Sequence, residues 1–201
     1  MKKITSLCVY CGSATGGSEL YADAARALGR ELVRRDIMLV YGGGKVGLMG
    51  TIADEVMAHG GRATGVIPQA LMQREVGHHG LTKLHVVKDM HERKALMAEL
   101  ADGFIAMPGG FGTLEELFEV TTWAQLGLHE KPIGLLNVNG FYDGLTAFAS
   151  HLVAEGFVRP GHAGLLMHAP DAVGLLDQFD SFVPSIKVKW LEREQAKEIL
   201  P

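Results

Sequence analysis

The chain has 201 residues, 47% of them hydrophobic and 21% charged, which excludes a disordered chain and suits one large α/β domain with a good-sized core. Its formal charge of −4 is spread without long runs, which speaks against a general binder of nucleic acid or acidic membrane. No apolar run approaches the roughly 20 residues that span a bilayer.

Met1-Lys2-Lys3 and the apolar run Ile4 to Tyr10 have a faint signal-peptide look. The apolar part is short and runs straight into a Gly-Ser turn, so it reads as a first strand covered on both faces. Cys8 and Cys11 form a C-x-x-C within and at the end of that strand. Redox pairs of this spacing sit at a helix start, and no second cysteine pair completes a zinc site. Both are expected as buried thiols in a reducing cytoplasm.

After the loop Gly12 to Gly17, Ser18 caps a helix to about Arg35, with Leu20, Ala24, Ala27, Leu28, Glu31 and Leu32 mostly on one side. Ile37–Tyr41 is a second strand, and Gly42-Gly43-Gly44 leads to a helix from about Leu48 to His59. Arg62–Ile67 is a third strand, and the stretch containing His78-His79 has no clear periodicity. Leu84–Val87 is a short fourth strand, and Asp89 caps a helix to about Ala101. A strand over 103–107 leads into Pro108-Gly109-Gly110-Phe111-Gly112-Thr113-Leu114-Glu115-Glu116 and a helix to about Leu128. Pro132–Leu136 is a sixth strand, followed by a helix from about Tyr142 to Glu155. Gly164–His168 is a last strand or a turn, with a helix after Pro170 and a charged tail, helical near its end, over 185–201. This alternation predicts an α/β fold, a parallel sheet with helices on both faces, whose ligand lies beyond the C-terminal strand ends.

The glycines of Pro108–Thr113 free backbone N–H groups to converge at a helix start, which makes an anion site, most often for phosphate. Gly42-Gly43-Gly44-Lys45-Val46-Gly47 matches G-x-G-x-x-G. The acid expected about 20 positions on for a dinucleotide is replaced by Arg62, and Val46 after Lys45 excludes a Walker loop. That leaves backbone contact with a nucleotide, or a tight turn needed only for helix packing.

Arg93 falls on the apolar stripe of Met90, Met97 and Leu100. A guanidinium there needs a carboxylate or phosphate partner, and either a site role or a structural ion pair supplies one. Glu92 pairs with Asp89 as a capping box, and Lys94 points elsewhere, as a surface lysine does. Glu116 is open to two readings. Thr113-x-x-Glu116 spells a capping box, yet Glu116 shares a helical face with Val120 and Trp123 beside the anion cradle. The nine histidines form no H-E-x-x-H, no G-x-S-x-G elbow occurs, and neither a metal nor another cofactor is implied.

At these residues the sequence resembles the Lonely Guy (LOG) family, long mislabelled as lysine decarboxylases. The family's P-G-G-x-G-T-x-x-E is similar to Pro108 through Glu116, its Arg-Lys pair to Arg93-Lys94, its Y-G-G-G-x-x-G-L-M-G to Tyr41 through Gly50, and its C-G-S turn to Cys11-Gly12-Ser13. The resemblance runs over about residues 5–180. It implies a modified Rossmann fold that cleaves N6-substituted adenosine monophosphates, and in some members AMP, to free base and ribose 5-phosphate; the chain length and the lack of any linker make residues 1–201 one domain. It implies Arg93 and Glu116 as the catalytic pair. It assigns nucleotide contacts to Gly12, Ser13, Gly43, Gly44, Met90, Lys94, Gly109, Gly110, Gly112 and Thr113, and a homodimer with sites near the subunit contact.

Overall fold

The computed structural model of the chain describes residues 3–72 and 77–184. The predicted tail, 185–201, lies outside the described residues. Seven parallel strands, β1 (Ser6–Tyr10), β2 (Met38–Tyr41), β3 (Ala63–Pro68), β4 (Lys83–Val87), β5 (Phe104–Ala106), β6 (Ile133–Leu136) and β7 (Leu166–Ala169), form one sheet in the order β4-β3-β2-β1-β5-β6-β7. Helices α1 (Glu19–Arg34), α2 (Gly47–Ala58), α3 (Gln69–Met72), α4 (Met90–Leu100), α5 (Phe111–Gln125), α6 (Asp143–Ala154) and α7 (Ala172–Asp180) connect or follow them. This is the predicted modified Rossmann architecture. No helix among the described residues is long and apolar enough to cross a membrane.

All five residues of β1 are buried, because side chains alternate between two covered faces. Leu7 and Val9 enter a core with Leu28 of α1, Leu48 of α2 and Leu175 of α7. Cys8 and Tyr10 enter the opposite core with Met97 of α4 and Leu117 of α5. Both cysteines are free and buried, as expected.

Local expectations on α1 and α5 need correction. Leu20 and Ala27, expected on the buried side of α1, are exposed, because both lie across the helix from the face that buries Ala22, Ala25, Leu28 and Leu32. Glu31 is buried on that helix, where Arg34 and Arg35 hold its carboxyl down at about 2. Arg35 also reaches Asp177 and Asp180, tying α1 to α7. The helix expected to run to Leu128 ends at Gln125. There Gly127 takes φ +76°, its N–H donates to Ala124 O at 3.0 Å, and the Leu128 N–H donates to Trp123 O at 2.9 Å. This Schellman cap satisfies the last carbonyls and stops the helix. The last strand, left open against a turn, is β7, paired with β6 from Ile133↔Leu166 to Leu136↔Ala169.

Candidate active site

Strand order reverses between β1 and β5, with β2–β4 on one side and β6–β7 on the other. The C-terminal edge at such a switch point leaves a crevice between diverging connections. All three glycine-rich turns reach it, and backbone contacts lock them together. The Gly12 N–H donates to Pro108 O at 3.1 Å, and the Leu48 N–H donates to Gly12 O at 3.0 Å. Gly47, at φ +59°, sits so close to the Ser13 carbonyl that no Cβ fits. Gly12 lies against Gly109, where a side chain at position 12 would come 3.5 Å from the Gly109 Cα.

Helix α5 starts earlier than a capping box requires. Its N-cap is Gly110, which offers no side-chain acceptor, and its first ladder bond runs from the Leu114 N–H to Gly110 O at 3.2 Å. The first-turn N–H groups therefore face the edge as the positive end of the helix dipole. Space above Gly110 and Gly112 is open, whereas Gly109 is pressed against the Thr113 side chain. Thr113 is buried inside the first turn, so the Thr113–Glu116 capping box is not formed. Phe111, between the two open glycines, is 91% exposed.

Glu116 projects from the next turn of α5 and is buried. Arg93 comes from the first turn of α4, which Asp89 caps by accepting from the His91 and Glu92 N–H groups. Glu92 reaches one residue further back than the predicted capping box, accepting from the Lys88 N–H at 2.8 Å. Arg93 is buried as predicted, but together with Lys94, Met97 and Ala98, while Met90, expected on the buried stripe, is 39% exposed at the start of the helix and Leu100 is half-buried. The Arg93 Nε donates to Val66 O at 3.2 Å and its Nη2 to Gly42 O at 3.3 Å, while Nη1 lies 3.9 Å from Glu116 Oε1 and 3.7 Å from the Met90 sulfur. The guanidinium occupies the space a side chain at Gly42 would take. Desolvation pushes the Glu116 carboxyl up from 4.5 to about 7, with the Arg93 charge opposing it. A carboxyl near 7 beside a fixed cation is poised to hold or release a proton at neutral pH.

The structure thus brings together Gly12, Ser13, Met90, Arg93, Gly109, Gly110, Gly112, Thr113 and Glu116 around one edge. Lys94 departs from the expectation of a surface lysine. It is buried rather than on the surface, and its Nζ is held by Glu115 at 2.5 Å and Glu119 at 2.9 Å. It lines a cavity of about 570 Å³ between α4 and α5 with Trp123 and His129, a cavity whose lining does not include Arg93 or Glu116. Gly43 and Gly44 are partly committed elsewhere. Gly43, at φ +76°, packs on Ile67 and Leu84, its carbonyl accepts from the His78 N–H at 3.0 Å, and Gly44 bridges to Gly77.

Sequence reasoning missed the acceptors that aim Arg93, the Gly42 and Val66 carbonyls, because backbone atoms carry no residue-type signal. It also missed the segment after α3, where the Gly80 N–H donates to His78 Nδ1 at 3.1 Å and His78 Nε2 meets Asp54 at 2.8 Å, bracing the second glycine turn. The doubled histidine was the available signal.

Comparison with known proteins places the chain in a family. A family described as "Possible lysine decarboxylase" matches residues 49–179. The cytokinin riboside 5′-monophosphate phosphoribohydrolase LOG of Oryza sativa subsp. japonica is 52% identical over 182 residues, 90% of this chain and 75% of that protein. LOG1 of Arabidopsis thaliana, named for the same activity, is 50% identical over 182 residues, 90% of this chain and 85% of that one. Among solved structures, the Moco carrier protein of Chlamydomonas reinhardtii superposes with a TM-score of 0.67 at 18% identity, covering 89% of this chain and 97% of that one. That likeness speaks to the fold. The half-identical relatives, spread over nine-tenths of the chain, decide the family: this chain belongs to the LOG family of phosphoribohydrolases.

Proposed function

We propose that the protein hydrolyses the N-glycosidic bond of N6-substituted adenosine 5′-monophosphates, with AMP as a further substrate, releasing the base and ribose 5-phosphate. The observation that carries this reading is the buried approach of Arg93 to Glu116, 3.9 Å apart, beside the uncapped start of α5. The 5′-phosphate lies over Gly110 and Gly112, held by first-turn N–H groups, with Thr113 and the Gly12-Ser13 turn closing the cradle. Cleavage of the C1′–N9 bond builds positive charge on the ribose, as in other glycoside hydrolyses. The ionised Glu116 stabilises that charge and orients a water molecule. The water oxygen bonds to C1′ as one of its protons passes to Glu116, and the C1′–N9 bonding pair leaves with the purine, which takes a proton from solvent. Glu116 then releases its own proton to solvent. Arg93 keeps Glu116 ionisable and fixes its direction. Binding energy from the remote phosphate positions the reacting bond, so a bare riboside reacts poorly.

Incubation with isopentenyl-adenosine monophosphate, AMP and lysine, with chromatography of products, tests this reading. Free base and ribose 5-phosphate are expected, and cadaverine or unchanged nucleotide would overturn it. Unchanged nucleotide with tight AMP binding would favour a nucleotide sensor on the same scaffold. Replacing Thr113 with Val should weaken AMP binding by about three- to tenfold, the worth of one hydrogen bond, and unchanged affinity by calorimetry would move the phosphate elsewhere.

A homodimer completes the proposal, with residues 1–201 acting as one domain in a reducing cytoplasm, where the two buried thiols stay unpaired. α6 buries none of its residues, and Phe118 and Phe148 stand 42% and 54% exposed on neighbouring helices. Apolar surface of this kind is normally covered. Light scattering should give about twice the chain mass, and a monomer at micromolar concentration would overturn this part.

A further inference from the structure

Beneath the proposed phosphate cradle lies a side chain that the reaction does not use. Tyr142 is 2% exposed, and its hydroxyl donates to the Met107 carbonyl at 2.6 Å. Met107 is the last residue before Pro108, and the β5–β6 register runs only to Ala106↔Leu135. The carbonyl at the entrance to the glycine turn therefore stands beyond the strand ladder, and the phenol takes the place of a ladder donor. Burial pushes the phenol well above its ordinary pKa, so the hydroxyl keeps its proton and stays a donor.

The segment that delivers Tyr142 is built for placement. Asn139, at φ +50°, and Gly140, at φ +72°, turn the chain sharply, and Gly140 has no room for a Cβ against the Asp143 carboxylate. Asn137 accepts from the Tyr142 N–H at 2.7 Å through its Oδ1 and donates to Asp143 at 2.7 Å through its amide nitrogen. A left-handed non-glycine residue persists only where its surroundings hold it. On the other side Phe141 packs edge-on against Tyr142, with centroids 4.9 Å apart, and against Tyr21 at 5.8 Å. Tyr21 in turn lies against Gly16, in the loop that begins at Gly12. One short segment thus touches both walls of the cradle, the turn after β5 through Tyr142 and the turn after β1 through Phe141 and Tyr21.

We propose that Tyr142 is a positioning residue for the phosphate cradle, its hydroxyl setting the entry of Met107-Pro108 so that Gly109–Thr113 present their donors to the 5′-phosphate. This rests on the phosphoribohydrolase reading for its substrate and on the hydrogen bond for its geometry. The side chain touches no reacting atom, so its loss acts on phosphate binding and leaves the bond-breaking step alone.

The test is Tyr142→Phe, which removes one oxygen and keeps the ring on Phe141. KM for isopentenyl-adenosine monophosphate and the inhibition constant of ribose 5-phosphate should both rise about fivefold, the effect of one buried hydrogen bond, with kcat within about twofold. Slow hydrolysis of the unphosphorylated riboside should be unchanged. Wild-type constants in the variant, or equal losses on nucleotide and riboside, would overturn the proposal in favour of a packing role. Calorimetric AMP binding is the arm that does not depend on turnover. If the wild type binds AMP but hydrolyses neither it nor isopentenyl-adenosine monophosphate, the functional reading fails and the proposal stands on a fivefold weaker Kd in the variant. If the wild type binds no AMP, both fail. Should Tyr142→Phe not fold, Asn137→Ala releases the Tyr142 backbone anchor and should move the same constants in the same direction, and unaltered constants there would equally overturn the role.

Discussion

Replacing Glu116 with Gln is expected to lower turnover of isopentenyl-adenosine monophosphate by about a thousandfold, within the range for loss of a general acid–base group, while AMP affinity changes little. The amide keeps the shape of the side chain but can neither accept the water proton nor oppose the charge growing on the ribose. The same substitution should raise stability in alkaline solution. The folded protein holds the Glu116 proton up to about pH 7, whereas the ordinary value is 4.5. Between those values the folded state binds more protons than the unfolded one, so stability falls as pH rises through the window and the loss is complete above pH 7. A permanently neutral glutamine escapes that loss. Thermal denaturation should therefore show the variant melting several degrees above wild type at pH 8 and level with it at pH 4.5, a few kcal/mol being worth that much in a chain of this size. For the wild type, kcat/KM should rise with pH through a midpoint near 7. A variant that keeps near-wild-type turnover would remove Glu116 from the chemistry, and one that melts lower at pH 8 would mean the carboxylate is stabilising after all.

Replacing Arg93 with Met should have the second largest effect, a loss of about a hundredfold in kcat/KM at pH 7. The guanidinium is the largest influence opposing the upward push on Glu116. Without it the carboxyl ionises only at higher pH, so the midpoint of the pH profile should move upward and part of the activity should return near pH 9. Two buried carbonyls, Val66 and Gly42, also lose their donor, at a cost of about 1–3 kcal/mol each. Arg93→Lys separates charge from shape. It keeps the cation but loses the planar fork that reaches both carbonyls, so the midpoint should shift less while the melting temperature still drops. A Met variant with an unchanged midpoint would show that the 3.9 Å approach has no electrostatic consequence for Glu116.

Most of the fold was legible because its signals are local. Ser18, Asp89 and the run into Pro108 are written in residue types, and strands buried on both faces read as continuous apolar runs. Arg93 was legible for a related reason, since a charge on the stripe of Met90 and Met97 conflicts with its neighbours and calls for a partner. The start of α5 was not legible. Thr113-x-x-Glu116 satisfies the letter pattern of a capping box, but the chain turns helical at Phe111, straight after the extended Gly110, so both residues lie inside the helix. Lys94 was misread because its partners, Glu115 and Glu119, lie on another helix more than 20 residues away.

The sequence by itself determined the order of strands and helices, the glycine turns and the residue types from which an anion cradle with a nearby acid can be built. Each of those depends on spacing within a few residues. Only the tertiary structure decided that the strand order reverses between β1 and β5 and that Arg93 meets Glu116 and not Glu115 or Glu119. It also decided that Tyr142 lies under the cradle. These depend on which strands lie side by side, and on how burial and a neighbouring cation set the charge of Glu116.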